Sequence, residues 1–113
     1  MKIEKFHIYL ADLNPQFGTE PGKIRPVIVI QTDMLNQVHP STIVLPVTTK
    51  VIKEASILRV HIEKEESNLK EDSDILIDQV RAIDKRRFIK HIGELSEEHK
   101  QQIIENLKII ILE

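Results

Sequence analysis

Near the start of the chain, Phe6, Ile8 and Leu10 alternate with His7, Tyr9 and Ala11. A period of two puts successive side chains on opposite faces, so this segment reads as a half-buried strand. Asn14, Pro15, Gly18, Pro21 and Gly22 then break the pattern and make residues 14–24 a loop. Val27, Ile28, Val29 and Ile30 form an unbroken β-branched run, expected to be a strand covered on both faces. Asp33 is positioned to cap a short helical turn through Met34 and Leu35, and His39, Pro40 and Ser41 form a turn. Thr42 to Val47 is a third strand, with Pro46 implying an irregular end or an edge. A fourth strand spans 57–62, an acidic connection 63–72, a fifth strand 75–83, and a sixth lies within 88–95. The last segment changes period. Ser96 is a good N-cap with Glu97 and Glu98 behind it. Ile103, Ile104, Leu107, Ile110 and Ile111 then make a helical apolar stripe. Short strands at close spacing with one terminal helix predict a mainly β fold, a small barrel or strongly bent sheet with an appended helix.

Composition narrows the class. The chain has 113 residues, 41% of them hydrophobic and 30% charged, which suits one soluble globular domain over 1–113 and neither a disordered tail nor a coiled fibre. A formal charge of −2 excludes a strongly basic nucleic-acid binder by bulk charge. The charge is uneven, however. Residues 1–60 carry +2, 61–80 carry −5, 81–93 carry +4 and 94–113 carry −3. A basic face could therefore form by folding the first and third blocks together, against the plainer reading of scattered solvated charge. Cys is absent, which excludes disulfides, thiolate catalysis and zinc-thiolate sites. No stretch suits a membrane helix or a secretory signal, so a cytoplasmic location is expected by exclusion.

The common catalytic signatures are missing. His7, His39, His61, His91 and His99 form no compact ligand pattern, so neither a metal nor a cofactor is expected. Three glycines are too few for a phosphate-cradling loop. What stands out is Arg25, placed just before Pro26 at the mouth of the apolar strand, where the backbone is held extended. Such an Arg suits phosphate or carboxylate recognition, or equally an ion pair with Glu20.

The neighbouring residues extend this motif. Gly18-Thr19-Glu20 and Gly22 precede Arg25-Pro26-Val27. Asn36 and Pro40 precede Ile43-Val44-Leu45-Pro46-Val47-Thr48, and Asp78-Gln79-Val80-Arg81-Ala82-Ile83-Asp84 follows. Asp12-Leu13-Asn14-Pro15 and Ile92-Gly93-Glu94-Leu95-Ser96 frame the set. In order and spacing, over nearly the whole chain, this resembles the MazF/PemK family of toxin endoribonucleases.

The resemblance implies an SH3-like β-barrel with a C-terminal helix. It implies a homodimer that cuts single-stranded RNA in a groove and is neutralised by a cognate antitoxin with an acidic, disordered tail. The family's catalytic Arg and Thr fall on Arg25 and Thr48. Thr19 is implied to help hold the phosphate and Gln79 to contact substrate. Asp78 is an accessory residue, because Leu76 stands where relatives that use the acid carry an Arg. Lys23, Lys50 and Arg81 are expected to line the RNA track, with Lys53, Arg59, Lys85, Arg86 and Arg87 as further cations nearby. No general base can be named. Two other functions compete: a toxin of the same fold that binds a protein such as DNA gyrase, and a degenerate relative without catalysis. The presence of Arg25, Thr48 and Gln79 weighs against both.

Overall fold

Seven strands form one antiparallel sheet: β1 His7–Asp12, β2 Ile24–Val29, β3 Ser41–Thr48, β4 Arg59–Ile62, β5 Ser73–Leu76, β6 Arg81–Asp84 and β7 Phe88–Glu94. Two helices join them, α1 Asp33–Asn36 and α2 Glu97–Leu107. These elements come from a computed structural model that describes residues 1–113. The strand order is β4-β5-β3-β2-β1-β7, with β6 pairing β3 beside β5. The mainly β architecture with one C-terminal helix is as the pattern predicted.

The sheet is apolar on both faces over most of its width. Ile8, Ile28, Leu45, Val47, Val60, Ile62, Ile75 and Ile77 point to one face, where Ile103 of α2 and Leu95 cover them. Tyr9, Ala11, Val27, Val29, Val44 and Ile83 point to the other, under Ile3, Leu13 and Phe88. The half-buried expectation for β1 therefore fails. Tyr9 and Ala11 are fully buried, as Ile8 is, because the N-terminal residues and the start of β7 fold over the second face. For β2 the expectation of burial on both faces holds.

Two further expectations are corrected. The segment 75–83 is not one strand. β3 advances three residues from Val47 to Val44, while its partner advances six from Ile75 to Arg81. The excess is taken up in a 3₁₀ turn at Ile77–Gln79, pinned by Ile77 N–H donating to the Leu58 carbonyl. Nor is Pro46 at an edge, since β3 is central. Leu45 and Pro46 fall in the gap between the β6 pairs and the β5 pairs, where no ladder bond on that side is required. At α1 the cap is Thr32, which accepts from Met34 N–H, while Asp33 accepts from Lys5 N–H and Asn36. Ser96 caps α2 as expected, accepting from His99 N–H at 3.2 Å. Past Leu107 the α-helix gives way to one π-type turn, Lys108–Leu112.

No ladder joins β4 to β7. The gap is bridged by the loop after β4, where Asn68 Nδ2 donates to the Ile92 carbonyl at 3.0 Å. A Cβ on Gly93 would lie 2.5 Å from the Ser67 carbonyl oxygen, so only glycine lets β7 approach this loop so closely. No helix is long and apolar enough to cross a membrane.

Candidate active site

The second face is apolar at one end only. Toward β3, β5 and β4 it turns polar, and pairing register lays out a row. Thr48 is opposite Asp74, and Asp74 is opposite His61. The β2–β3 pairs run Val29↔Val44, Ile28↔Leu45 and Val27↔Pro46, so two residues further Arg25 falls opposite Thr48. Directly opposed residues of antiparallel strands share a face. Arg25, Thr48, Asp74 and His61 thus stand side by side across four strands. Arg25 and Thr48 thus lie on neighbouring strands, although they are 23 positions apart in the chain.

Arg25 is half-buried and makes no ion pair. Its Nε donates to the Gly22 carbonyl at 2.8 Å and its Nη1 to the Val47 carbonyl at 3.4 Å. The alternative partner Glu20 is not used. Burial without a carboxylate lowers the guanidinium pKa from its ordinary value, because the charged form is partly desolvated. Of the five N–H donors a guanidinium carries, two are engaged, and the remaining three are free to meet an anion. Thr48 is half-buried, and its Oγ1 accepts from Lys50 N–H at 3.2 Å, which leaves the hydroxyl proton free to donate.

The loop between β1 and β2 is held by guanidiniums. Besides Arg25 on Gly22, Arg81 Nη1 donates to the Pro21 carbonyl at 3.4 Å, and Arg87 Nη1 donates to the carbonyls of Asp12 and Asn14. Lys23 N–H donates to Asn14 Oδ1 at 2.9 Å, with Lys23 itself in the left-handed region at φ 66°. Thr19 and Lys23 are exposed on this loop. Gly22 is required by space, for a Cβ there would lie 2.5 Å from Gln16 Cβ.

The remaining candidates are more widely distributed. Lys50 is exposed just after Thr48, and its carbonyl accepts from Arg59 Nη1 at 2.7 Å. Asp78 is exposed and Gln79 half-buried on the 3₁₀ turn that the extra residues push out beside β3. The two basic blocks do converge, but several of their cations serve the fold. Arg59 pairs with Asp74 at 3.1 Å, Arg86 pairs with Asp84 at 3.0 Å, and Lys85 donates to the Asn36 carbonyl. Asp84 is held down at about 2 by its hydrogen bonds from the Arg86 side chain and backbone. No three His, Cys, Asp or Glu side chains converge as a metal site would need.

Sequence reasoning missed Asp74. Its side chain is only 2% exposed. Burial raises its pKa, but the Ile52 N–H and the side chains of Arg59 and His61 together outweigh that and hold it below its ordinary value. From β5 its carboxylate reaches β4 and the loop after β3, contacts that only the register reveals.

Residues 4–111 match the family model described as PemK-like, MazF-like toxin of type II toxin–antitoxin system. Endoribonuclease EndoA of Bacillus subtilis (strain 168) is 37% identical over 109 residues, covering 96% of this chain and 94% of its own. Among solved structures, MazF from Deinococcus radiodurans superposes with a TM-score of 0.84 at 20% identity, covering 98% of this chain and 97% of its own. MazE–MazF from the same organism gives a TM-score of 0.77 at 20% identity, over 98% and 96%.

Proposed function

The chain belongs to the PemK-like, MazF-like toxins of type II toxin–antitoxin systems, and from that footing we propose that it is an endoribonuclease that cleaves single-stranded RNA at Arg25 and Thr48. The observation that carries the reading is the register that sets a half-buried, unpaired guanidinium with three free donors opposite a free hydroxyl on the polar end of one sheet face. An anion-seeking arrangement of this kind suits a transition state more negative than its ground state.

The reaction uses the substrate's own hydroxyl. The 2′-oxygen bonds to the adjacent phosphorus, the bond from phosphorus to O5′ breaks, and the products are a 2′,3′-cyclic phosphate and a 5′-hydroxyl. The proton lost from the 2′-OH is balanced by the one gained at O5′. Negative charge grows on the non-bridging oxygens, where Arg25 and Thr48 donate. No metal ion is needed for this scheme. Thr19, Lys23, Lys50, Gln79 and Arg81 lie on the loop and strands bordering the row and hold the strand of RNA, with Asp78 accessory on the 3₁₀ turn. Unstacked bases of a single strand leave their edges readable.

Two partners complete the reading. A second copy is expected to cover the apolar residues left exposed at the C-terminus, among them Ile109, Ile111 and Leu112. An antitoxin with an acidic, disordered tail is expected to fold onto the basic side of the loop and occlude Arg25. One structural neighbour is an endoribonuclease in complex with its cognate antitoxin from Mycobacterial species. The reading places the chain in the cytoplasm, where RNA and antitoxin are met.

The test is digestion of a long RNA of known sequence in excess EDTA, with the ends determined. Cyclic phosphate and 5′-hydroxyl ends are expected, and a single 2′-deoxy sugar 5′ of the cut should block that bond. Cleavage of the deoxy bond would make water the nucleophile and leave Arg25 only a phosphate anchor.

A further inference from the structure

We infer that Asn14 is a positioning residue for the proposed cleavage: its side chain sets the direction of the peptide between Gly22 and Lys23, and that peptide aims Arg25. The inference rests on the nuclease reading given above.

The Gly22 carbonyl and the Lys23 N–H belong to one planar peptide group, so they point in opposite directions and can only turn together. At one end the carbonyl accepts from Arg25 Nε at 2.8 Å. At the other end the N–H donates to Asn14 Oδ1 at 2.9 Å. Of the two internal bonds of Arg25, the one to Gly22 is the tighter, since the Val47 carbonyl lies 3.4 Å from Nη1. A guanidinium is a rigid plane, so anchoring Nε decides where its remaining donors point. No hydrogen bond joins Asn14 to Arg25 directly, and the peptide is the link between them.

Backbone preference does not hold the peptide in this direction. Lys23 has φ 66°, a left-handed conformation that residues with a Cβ rarely adopt. Turning the peptide over, the change that separates a type II from a type I turn, would return Lys23 to negative φ and leave the chain path nearly unchanged. The same change would swing the Gly22 carbonyl away from Arg25 Nε. Asn14 opposes it by holding the N–H end, and Asn14 is itself tied down. Its own N–H donates to Asp12 Oδ1 at 3.0 Å, and its carbonyl accepts from Arg87 Nη1. The preceding Leu13 N–H donates to the Lys23 carbonyl at 2.8 Å, which joins the two legs of the loop beside it.

The experiment measures kcat and KM for a set of variants on an RNA cut at a single site. Asn14→Ala should lower kcat roughly tenfold, within the ~100-fold that a misplaced catalytic group can cost, and leave KM unchanged. Asn14→Asp keeps an oxygen acceptor and should stay within about threefold of the wild type. Glycine takes positive φ freely, so in a Lys23→Gly background Asn14→Ala should cost no more than about threefold. In an Arg25→Ala background it should cost nothing further, because the effect passes through Arg25. Lys23→Val leaves Asn14 intact but sets a β-branched residue at positive φ, and its kcat should be roughly tenfold below that of Lys23→Gly. Both of those variants lack the ammonium, so its loss cancels, and the comparison stands even if Asn14→Ala does not fold. The inference is overturned by a wild-type kcat in Asn14→Ala, by Asn14→Asp as slow as Asn14→Ala, or by equal kcat in Lys23→Val and Lys23→Gly. A loss undiminished by Lys23→Gly, or one that adds to Arg25→Ala, overturns it as well. A wild type that does not cut the RNA would instead refute the nuclease reading.

Discussion

Replacing Arg25 with Ala removes one side chain and two internal hydrogen bonds, to the carbonyls of Gly22 and Val47. Each bond contributes about 1 kcal/mol net. Against that loss stands the relief of a desolvated guanidinium that has no carboxylate partner. The two effects oppose each other, so stability should change by no more than about 1 kcal/mol. For a domain of this size that is a melting shift within about 8 °C. Activity should respond on a different scale. One lost transition-state donor typically lowers kcat by about 10²–10³, and Arg25 has three free donors to lose, so a fall of at least about 10³ is expected. Arg25→Lys keeps the charge but loses the Nε bond to Gly22 and the planar fork, and should recover no more than about tenfold of that loss. The assay is single-turnover cleavage of an RNA oligonucleotide labelled with a fluorophore and a quencher, run beside thermal melts of each variant. Full rescue by Lys, or an Arg25→Ala rate within about tenfold of the wild type, would refute the assignment.

Gly22→Ala places a Cβ against Gln16 and displaces the carbonyl that holds Arg25 Nε. Cleavage should slow by roughly tenfold to a hundredfold, more than the loss of about 1–2 kcal/mol of stability from crowding at Gln16 would explain, because a misplaced catalytic group costs rate directly. Asp74→Asn should destabilise the fold by about 2 kcal/mol near pH 7, since Arg59 and His61 lose their shared partner. The folded pKa of Asp74 is depressed, so its stabilisation is present above the unfolded value of about 3.9 and is lost as pH falls below it. Urea melts of variant and wild type should therefore converge below about pH 4, and a constant gap down to pH 2 would contradict this account.

The strands and the last helix were legible because their signals are local. Val27 to Ile30 and Ser96 with Glu97 declare themselves within a few residues. The break in 75–83 was not legible, since three surplus residues matter only relative to β3, and Ile77-Asp78-Gln79 reads like any strand end. Burial of Tyr9 and Ala11 depends on Ile3, Leu13 and Phe88, which lie on three different segments. At the site, Arg25 and Thr48 could be named from the family resemblance, but their being opposite one another is a property of register. The Asp74–His61 pair was missed for the same reason. Both residues look like ordinary charge in an acidic stretch until β4 and β5 are aligned.

The central position of β3 bears on how this chain is made. β3 ends at Thr48, yet its partners on one side, β5 and β6, are encoded by residues 73–84, and β1 acquires its second neighbour only with residues 88–94. The loop that orients Arg25 is fastened by Arg81 and Arg87, later still in synthesis than Thr48. A nascent chain that has emerged only through Thr48 holds both residues proposed for catalysis and the β2–β3 pairing that aligns them, but not the strands on the far side of β3 or the guanidiniums that fasten the loop around Arg25. The site is therefore completed by segments made well after the two residues it is proposed to use, with the last fastening, from Arg87, coming 39 residues after Thr48.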